Sequence, residues 1–246
     1  MQSFTKVLSA ERLKLSKSFI WLLVPISPLI SLLIGMLVNL DYAEDELNSA
    51  VMISSMASFH AMLFLPIMTG ILSAFVCRFE HSGGGWKAQL SLPITRPALY
   101  IAKFTIVAGL LAITQLLFAG AVIAASIYQQ IDGGIPWSLI LQSSITGWIA
   151  CLPLAALQLW VSTSWSSFAA PLTINVMLTL PNILILNSAK YGPFYPWAQP
   201  AMAMLILDEQ SFGAMTLPLE NILITISGSF LLFFLGGLLH FSRKEI

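Results

Sequence analysis

The sequence has 246 residues, of which 57% are hydrophobic and 9% are charged. Soluble domains usually contain about 25% charged residues, so this composition excludes an ordinary soluble protein and predicts an integral membrane protein. The formal net charge is zero, and the two cysteines, Cys77 and Cys151, offer neither a disulfide framework nor the spacing of metal ligands.

Six stretches are long and apolar enough to cross a membrane, since a transmembrane helix needs about 20 predominantly apolar residues. The predicted spans are residues 19–40, 51–77, 99–128, 137–161, 168–187 and 217–241. The predicted fold class is therefore an all-α membrane protein, with one transmembrane domain over residues 1–246. An even number of spans places both termini on the same side.

The basic residues indicate which side that is. Almost all of them precede the first span, follow the last span, or lie between the second span and the beginning of the third. They are Lys6, Arg12, Lys14, Lys17, Arg78, Lys87, Arg96, Lys103, Arg243 and Lys244, with only Lys190 elsewhere. Because short basic loops remain cytoplasmic, both termini are predicted to be cytoplasmic.

Residues 1–18 predict an interfacial amphipathic helix ahead of the first span. At 100° per residue, one stripe is mainly apolar and the lysines lie opposite. The apolar stripe contains Phe4, Val7, Leu8, Leu15 and Phe19. Glu11 falls within this stripe, so the pattern is imperfect, and a frayed terminus is the alternative.

The connection 78–98, between the second and third spans, predicts a short cytoplasmic helix. Glycines at 83–85 would end the preceding helix, and Trp86–Leu92 has an amphipathic pattern that Pro93 ends. Residues 83–87 do not form a phosphate loop, because the required Gly-Lys-Ser/Thr is absent. ATP, if it drives this protein, must bind to another chain.

Two features fall on the predicted outer side. The acidic loop Asp41–Glu46 is either a solvated cap or a surface that attracts cationic molecules. The connection 188–218 is rich in proline and aromatic residues, as is typical of a membrane interface. Its apolar segment Ala201–Leu207 is too short to span, so a re-entrant or interfacial helix is predicted there.

The predicted spans contain few reactive groups. No carboxylate or lysine lies deep within them, which argues against a proton-coupled carrier. His60 could titrate, although a hydrogen-bonded residue of the helix bundle is the alternative. With His81 and His240 it shares no metal-like spacing, so no catalytic residue, metal or cofactor is predicted on this chain.

Two segments resemble bacterial ABC-2-type permeases. They are Ala10-Glu11-Arg12-Leu13-Lys14 and the loop pattern Arg78-Phe79-Glu80-His81, Gly84-Gly85-Trp86-Lys87, Leu92-Pro93-Ile94-Thr95-Arg96 and Tyr100-Ile101-Ala102-Lys103. The order of spans and the proline-rich connection after the fifth agree with this family. The chain is most similar to permease subunits of lantibiotic-immunity and bacitracin-resistance exporters.

The resemblance implies a subunit of an ATP-driven exporter in the bacterial cytoplasmic membrane. Its partners would be two copies of an ATPase that carry ATP and Mg²⁺, and a second permease chain, like or unlike. The substrate would be a hydrophobic or cationic peptide, and no nucleic acid is expected.

The resemblance also implies that the N-terminal helix and the loop 78–98 dock on the ATPase. The residues carried over for coupling are Glu80, Gly84, Gly85, Trp86, Lys87 and Arg96, with Phe4, Leu8, Glu11 and Leu15 from the N-terminal helix. Glu80 would bind a basic group, and Trp86 would fill a groove on the ATPase. For Lys87, Arg96 and Lys103, placement by the positive-inside rule alone is the alternative.

Six spans are few for a translocation path, so the path is expected between two permease chains. Candidate path residues are His60, Thr69, Gln115, Asn175, Tyr195 and Trp197, although each could instead be structural. Two other functions stay open. One is ABC-2 export of a lipid, polysaccharide, drug or ion, and the other is a non-transporting membrane scaffold or an intramembrane enzyme.

Overall fold

The computed structural model describes residues 4–16, 18–40, 48–81, 85–91, 93–131, 134–165, 167–205 and 218–244. Regular secondary structure within these ranges is entirely helical, which confirms the predicted all-α class. The helices are α1 (Phe4–Ser16), α2 (Ile20–Leu23), α3 (Ile26–Leu37), α4 (Asn48–Phe59), α5 (Leu65–His81), α6 (Gly85–Leu90), α7 (Arg96–Tyr128), α8 (Trp137–Ser164), α9 (Ala169–Thr179), α10 (Asn182–Leu186), α11 (Gln199–Met204) and α12 (Leu219–Arg243). The predicted acidic loop Asp41–Glu46 lies outside the described residues.

Within the described ranges, five helical stretches are long and apolar enough to cross a membrane. They are Ile20–Leu37, Asn48–His81, Arg96–Tyr128, Trp137–Ser164 and Glu220–Arg243. The predicted span 168–187 is instead divided into α9 and α10 by Pro181, because proline has no amide hydrogen and clashes with the preceding helical turn. The 11 residues of α9 extend only about 16 Å, which is less than the thickness of a bilayer core.

Proline also shapes the second long stretch, where a π-helical turn, His60–Phe64, separates α4 from α5. Pro66 cannot donate the hydrogen bond that the Met62 carbonyl would otherwise accept. The side chain of Asn182 donates to that carbonyl instead, over 2.8 Å. A side chain of α10 thus satisfies a backbone group that proline leaves free, as is required where water is absent.

Asn175 connects three parts of the bundle. Its Nδ2 donates to the Pro66 carbonyl over 3.0 Å, and its Oδ1 accepts from the indole of Trp197 over 2.9 Å. The close approach depends on Gly70, because a Cβ added there would lie 2.2 Å from Asn175 Nδ2. Consequently α9 packs directly on α5, and the connection that follows α10 is attached to both.

The short helix α11 occupies the position of the predicted re-entrant or interfacial helix. Its residues are buried and pack against α8. Gln199 donates to the Pro193 carbonyl over 2.9 Å and to Ser229 Oγ over 3.1 Å, which attaches α11 to α12. The predicted segment extended to residue 207, and its last two residues lie outside the described ranges.

We expect Gly70→Ala to destabilise the protein by about 1–3 kcal/mol, because the new methyl group must displace Asn175. Gly109→Ala is the matched control, since a Cβ at that position meets nothing within 4 Å. Thermal unfolding of the two variants in detergent measures the difference. Equal melting temperatures would show that Asn175 does not hold α9 to α5.

Candidate functional site

The buried face of α1 carries a charged residue. Val7, Glu11 and Leu15 are all buried, and their spacing of four places them on one side of the helix. Glu11 is only 2% exposed. A charge in this position requires partners, because an isolated buried carboxylate is very costly. Of the other predicted residues of this helix, Leu8 is half-buried and Phe4 is exposed.

Four charged side chains meet at this point, and we call Glu11, Lys14, Glu80 and Lys103 the ion-pair cluster. Lys103 Nζ lies 2.7 Å from Glu11 Oε2 and 2.9 Å from Glu80 Oε2. Lys14 Nζ contacts the other oxygen of each carboxylate, with a distance of 2.7 Å to Glu80 Oε1. Each carboxylate therefore contacts both ammonium groups, one with each oxygen. The two positive and two negative formal charges cancel.

Because the ion-pair cluster is buried, each of its charged groups needs all of its bonding partners. Lys103 is 0% exposed, and its third ammonium hydrogen is donated to the Val76 carbonyl over 2.8 Å. Lys14 is the accessible member, with 31% of its side chain exposed. Removing ions from water costs several kcal/mol each, and only complete bonding repays that cost. Loss of one partner would leave an uncompensated buried charge.

The charge state of Glu11 follows from two opposing effects. Burial by itself raises the pKa of Glu11, whereas the neighbouring ammonium groups of Lys103 and Lys14 lower it by attraction and hydrogen bonding. The net result is a pKa below the ordinary value of 4.5. Glu11 is therefore ionised at neutral pH.

The short helix α6 overlaps the predicted segment Trp86–Leu92 and is joined to the ion-pair cluster, whereas its cytoplasmic position stays a prediction. Gln89 donates to Glu11 Oε1 over 2.7 Å. The ring of Trp86 lies 5.7 Å from Lys103 Nζ and 5.4 Å from the ring of Phe241. Through these contacts α6 is attached to α1, α7 and α12.

The remaining residues predicted for coupling have different environments. Lys87 is exposed on α6, whereas Arg96 is half-buried. At Gly85 an added Cβ would lie 2.7 Å from the carbonyl oxygen of Phe79, so α6 begins close to the end of α5. Gly84 lies outside the described residues. Contact of these residues with an ATPase stays a prediction.

Three of the predicted path residues lie inside the bundle. His60 Nδ1 is 2.6 Å from Ser27 Oγ, and its ring stacks on Phe118 with centroids 4.4 Å apart. The amide of Gln115 lies near α11, and Thr69 bonds to a carbonyl of its own helix. All three are buried, and their role in a substrate path stays a prediction.

The other three predicted path residues lie together. Asn175 accepts from Trp197, and the ring of Tyr195 is 5.1 Å from that of Trp197. Tyr195 also donates to the carbonyl of Leu178. These contacts hold α9 and the following connection in place, and a role for the three residues in the substrate path stays a prediction.

An apolar groove of about 230 Å³ lies beside these residues, between α4 with its π-helical turn and α9 with α10. It is lined by Ser58, Phe59, Met62, Leu63, Thr179, Leu180 and Ile183. The hydroxyl groups of Ser58 and Thr179 each donate to a carbonyl of their own helix, over 2.7 Å. The groove therefore suits an apolar chain rather than a polar group.

Sequence reasoning missed Lys14, Lys103 and Gln89 as members of the site. For Lys103 the sequence indicates a place in the family's loop pattern and agreement with the positive-inside rule, but no partner. A signal was nevertheless present, because Lys103 is four residues from both Leu99 and Val107 and thus interrupts an apolar stripe, as Glu11 does. Opposite charges within two apolar stripes on the same side of the membrane are candidates for a buried pair.

We expect Lys103→Met to destabilise the protein by about 3–5 kcal/mol, because two buried carboxylates would share the single ammonium of Lys14. The double variant Lys103→Met with Glu80→Gln should recover part of that loss, since the remaining charges balance. Lys87→Met is the control for an exposed lysine. Thermal unfolding in detergent tests this, and equal effects of the two lysine substitutions would contradict it.

Acid should weaken the contribution of Glu11 to the free energy of unfolding. Because its pKa is lowered on folding, the stabilisation is fully present above the unfolded value of about 4.5 and is lost as pH falls through the folded value. The difference in unfolding free energy between the natural protein and Glu11→Gln should therefore shrink below about pH 4.5. A difference that is constant from pH 7 to pH 3 would contradict this.

Comparison with known proteins identifies the family. The family model for ABC-2 family transporter proteins matches residues 7–182, which include the ion-pair cluster, most of α1 and the helices from α2 to α9. Neither a curated protein nor a solved structure matches the chain. The match covers most of the sequence, and the helices are those of a multi-pass membrane protein. The chain therefore belongs to the ABC-2 transporter family, as a membrane permease of an ABC transporter rather than an enzyme.

Proposed function

We propose that this permease exports a lantibiotic or a similar antimicrobial peptide from the bacterial cytoplasmic membrane. Two copies of a separate ATPase would supply ATP and Mg²⁺, and a second permease chain, like or unlike, would complete the path. Both termini would be cytoplasmic, and α9 with α10 would form the sixth membrane segment. Family membership supports the exporter class, and the following observations support the details.

The observation that carries the coupling mechanism is the ion-pair cluster. It ties α1 and, through Gln89, α6 to the ends of α5 and α7. An ATPase that pushes on α6 or α1 would therefore move two long helices at once. Buried charges favour this transmission, because separating them would leave an uncompensated charge in the interior, at a cost of about 3–5 kcal/mol.

The ATPase contact would come from exposed residues. Glu80 and Trp86 are already engaged within the chain, so in this proposal they position α6 rather than bind the partner. The solvent-exposed face of α1 carries Leu13, which is 70% exposed, beside the exposed Arg12. On α6, Lys87 is exposed. These residues supply an apolar contact with basic neighbours.

The apolar groove supports a hydrophobic cargo. Its hydroxyl groups are satisfied by their own helices, so it offers apolar contact and little hydrogen bonding. The acidic loop Asp41–Glu46 supports a cationic cargo that approaches from outside. A cationic amphiphilic peptide combines both properties. A lipid is the second candidate, since an acyl chain would fit the same groove.

Purification of the full chain from its native membrane tests the proposal. We expect an ATPase to be recovered with it, and ATP hydrolysis in lipid vesicles to rise several-fold with a cationic lantibiotic. Stimulation by added lipid alone would select the second candidate, and recovery without any ATPase would contradict the transporter assignment. Lys87→Glu should lower ATPase recovery, whereas Lys190→Glu, at an exposed position on the predicted outer side, should not.

Filling the groove tests the cargo separately. We expect Leu180→Trp to abolish stimulation by the peptide without lowering ATPase recovery, because the larger ring would occupy the groove. Leu232→Trp is the matched control, since this residue is 66% exposed on α12 and does not line the groove. Normal stimulation in Leu180→Trp would show that the cargo binds elsewhere.

A further inference from the structure

The carboxyl-terminal end of α12 is fastened to α6. Phe241 is 0% exposed, and its ring lies 5.4 Å from Trp86 and 5.9 Å from Tyr100, measured between centroids. At Gly237, one turn earlier, an added Cβ would lie 2.1 Å from Tyr100 Oη. The last turns of α12 therefore pack closely on the start of α7 and on α6.

Two basic side chains fasten the residues around Phe241. Arg96, at the start of α7, donates to the carbonyls of Ser242 and Lys244, the former over 3.3 Å. Lys244 in turn donates to the carbonyls of Thr163 and Ser164 over 3.0 and 2.9 Å. These carbonyls end α12 and α8, where the helix itself provides no partner and a positive charge is favourable.

Much of α12 lies at the surface of the bundle, although Ser229 accepts from Gln199 and Gly236 lies close to the ring of Trp160. Large apolar side chains of this helix, such as Ile224 and Leu232, are 70% and 66% exposed. Through Phe241, Ser242, Lys244 and Arg96, this end of α12 is nevertheless connected to α6, α7 and α8. We call these four residues the C-terminal clasp.

We infer that the C-terminal clasp positions α6 and transmits its movement to α8 and α12. The ion-pair cluster links α6 with α1, α5 and α7, whereas the clasp links it with α7, α8 and α12. A displacement of α6 would then reach four long helices of the bundle. The consequence for transport rests on the proposed function, but the position of α6 against the rest of the bundle is a property of this chain alone.

Cys77 provides a reporter for the clasp in the full chain. It is 0% exposed and lies in the same apolar cluster as Leu99, Tyr100 and Phe241. With Cys151→Ala as background, the rate at which a maleimide labels Cys77 in lipid vesicles measures how often this region opens. The measurement requires neither an ATPase nor a substrate.

We expect Phe241→Ala to raise the labelling rate by about tenfold or more, and Lys244→Ala to raise it by a smaller factor. Leu239→Ala is the matched control on the same helix, because Leu239 is 56% exposed. Lys244→Arg should restore the slow rate, since a guanidinium can donate to the same carbonyls. Slow labelling in both Phe241→Ala and Lys244→Ala would overturn the inference.

Coupling between this chain and the ATPase is measured on the complex that is purified from the native membrane. Lys244→Ala should lower peptide-stimulated ATP hydrolysis several-fold while the amount of recovered ATPase is unchanged, and Lys244→Arg should restore it. Faster labelling with full stimulation would overturn the role in transmission. Absence of any ATPase with the natural protein would instead contradict the proposed function, and the labelling rates would still test the position of α6.

Discussion

The ammonium group of Lys103 is buried where α1, α5 and α7 meet, and two carboxylates must face it if its charge is to remain there. The position of α1 depends on this interaction, because one of the two carboxylates, Glu11, lies on its buried face. The amide of Gln89 on α6 reaches the same carboxylate. One buried cation thus organises α1, α5, α6 and α7 at this end of the bundle.

Farther from this end, different forces hold the helices. Lipid is as apolar as the helix surfaces, so close packing and side-chain hydrogen bonds must supply the specificity. Gly70 lets Asn175 approach α5, and Asn182 satisfies the carbonyl that Pro66 leaves without a donor. The same amide-bearing helices form one wall of the apolar groove. Structural polar groups and an apolar surface therefore coexist in α9 and α10.

Both ends of this arrangement matter for a permease. The ion-pair cluster joins α6 to one set of helices, and the C-terminal clasp joins it to another. The groove lies against α9 and α10, which contact α5 and its π-helical turn through Asn175 and Asn182. Movement of α5 would therefore change the shape of the groove. In the proposed exporter, this connection would give ATP hydrolysis on a separate chain a physical route to a hydrophobic cargo.

Hydrophobic length sufficed to predict an all-helical membrane protein and five of its long apolar helices. The glycines and proline that flank Trp86–Leu92 indicated a short helix, and α6 (Gly85–Leu90) overlaps that segment. These features are local, since each depends on a continuous stretch of chain. Glu11, however, is paired with Lys103, which is 92 positions away. The ring of Trp86 packs against that of Phe241, which is 155 positions away. Only tertiary packing decides such contacts, because a buried charge or ring takes whichever partner the folded helices bring to it.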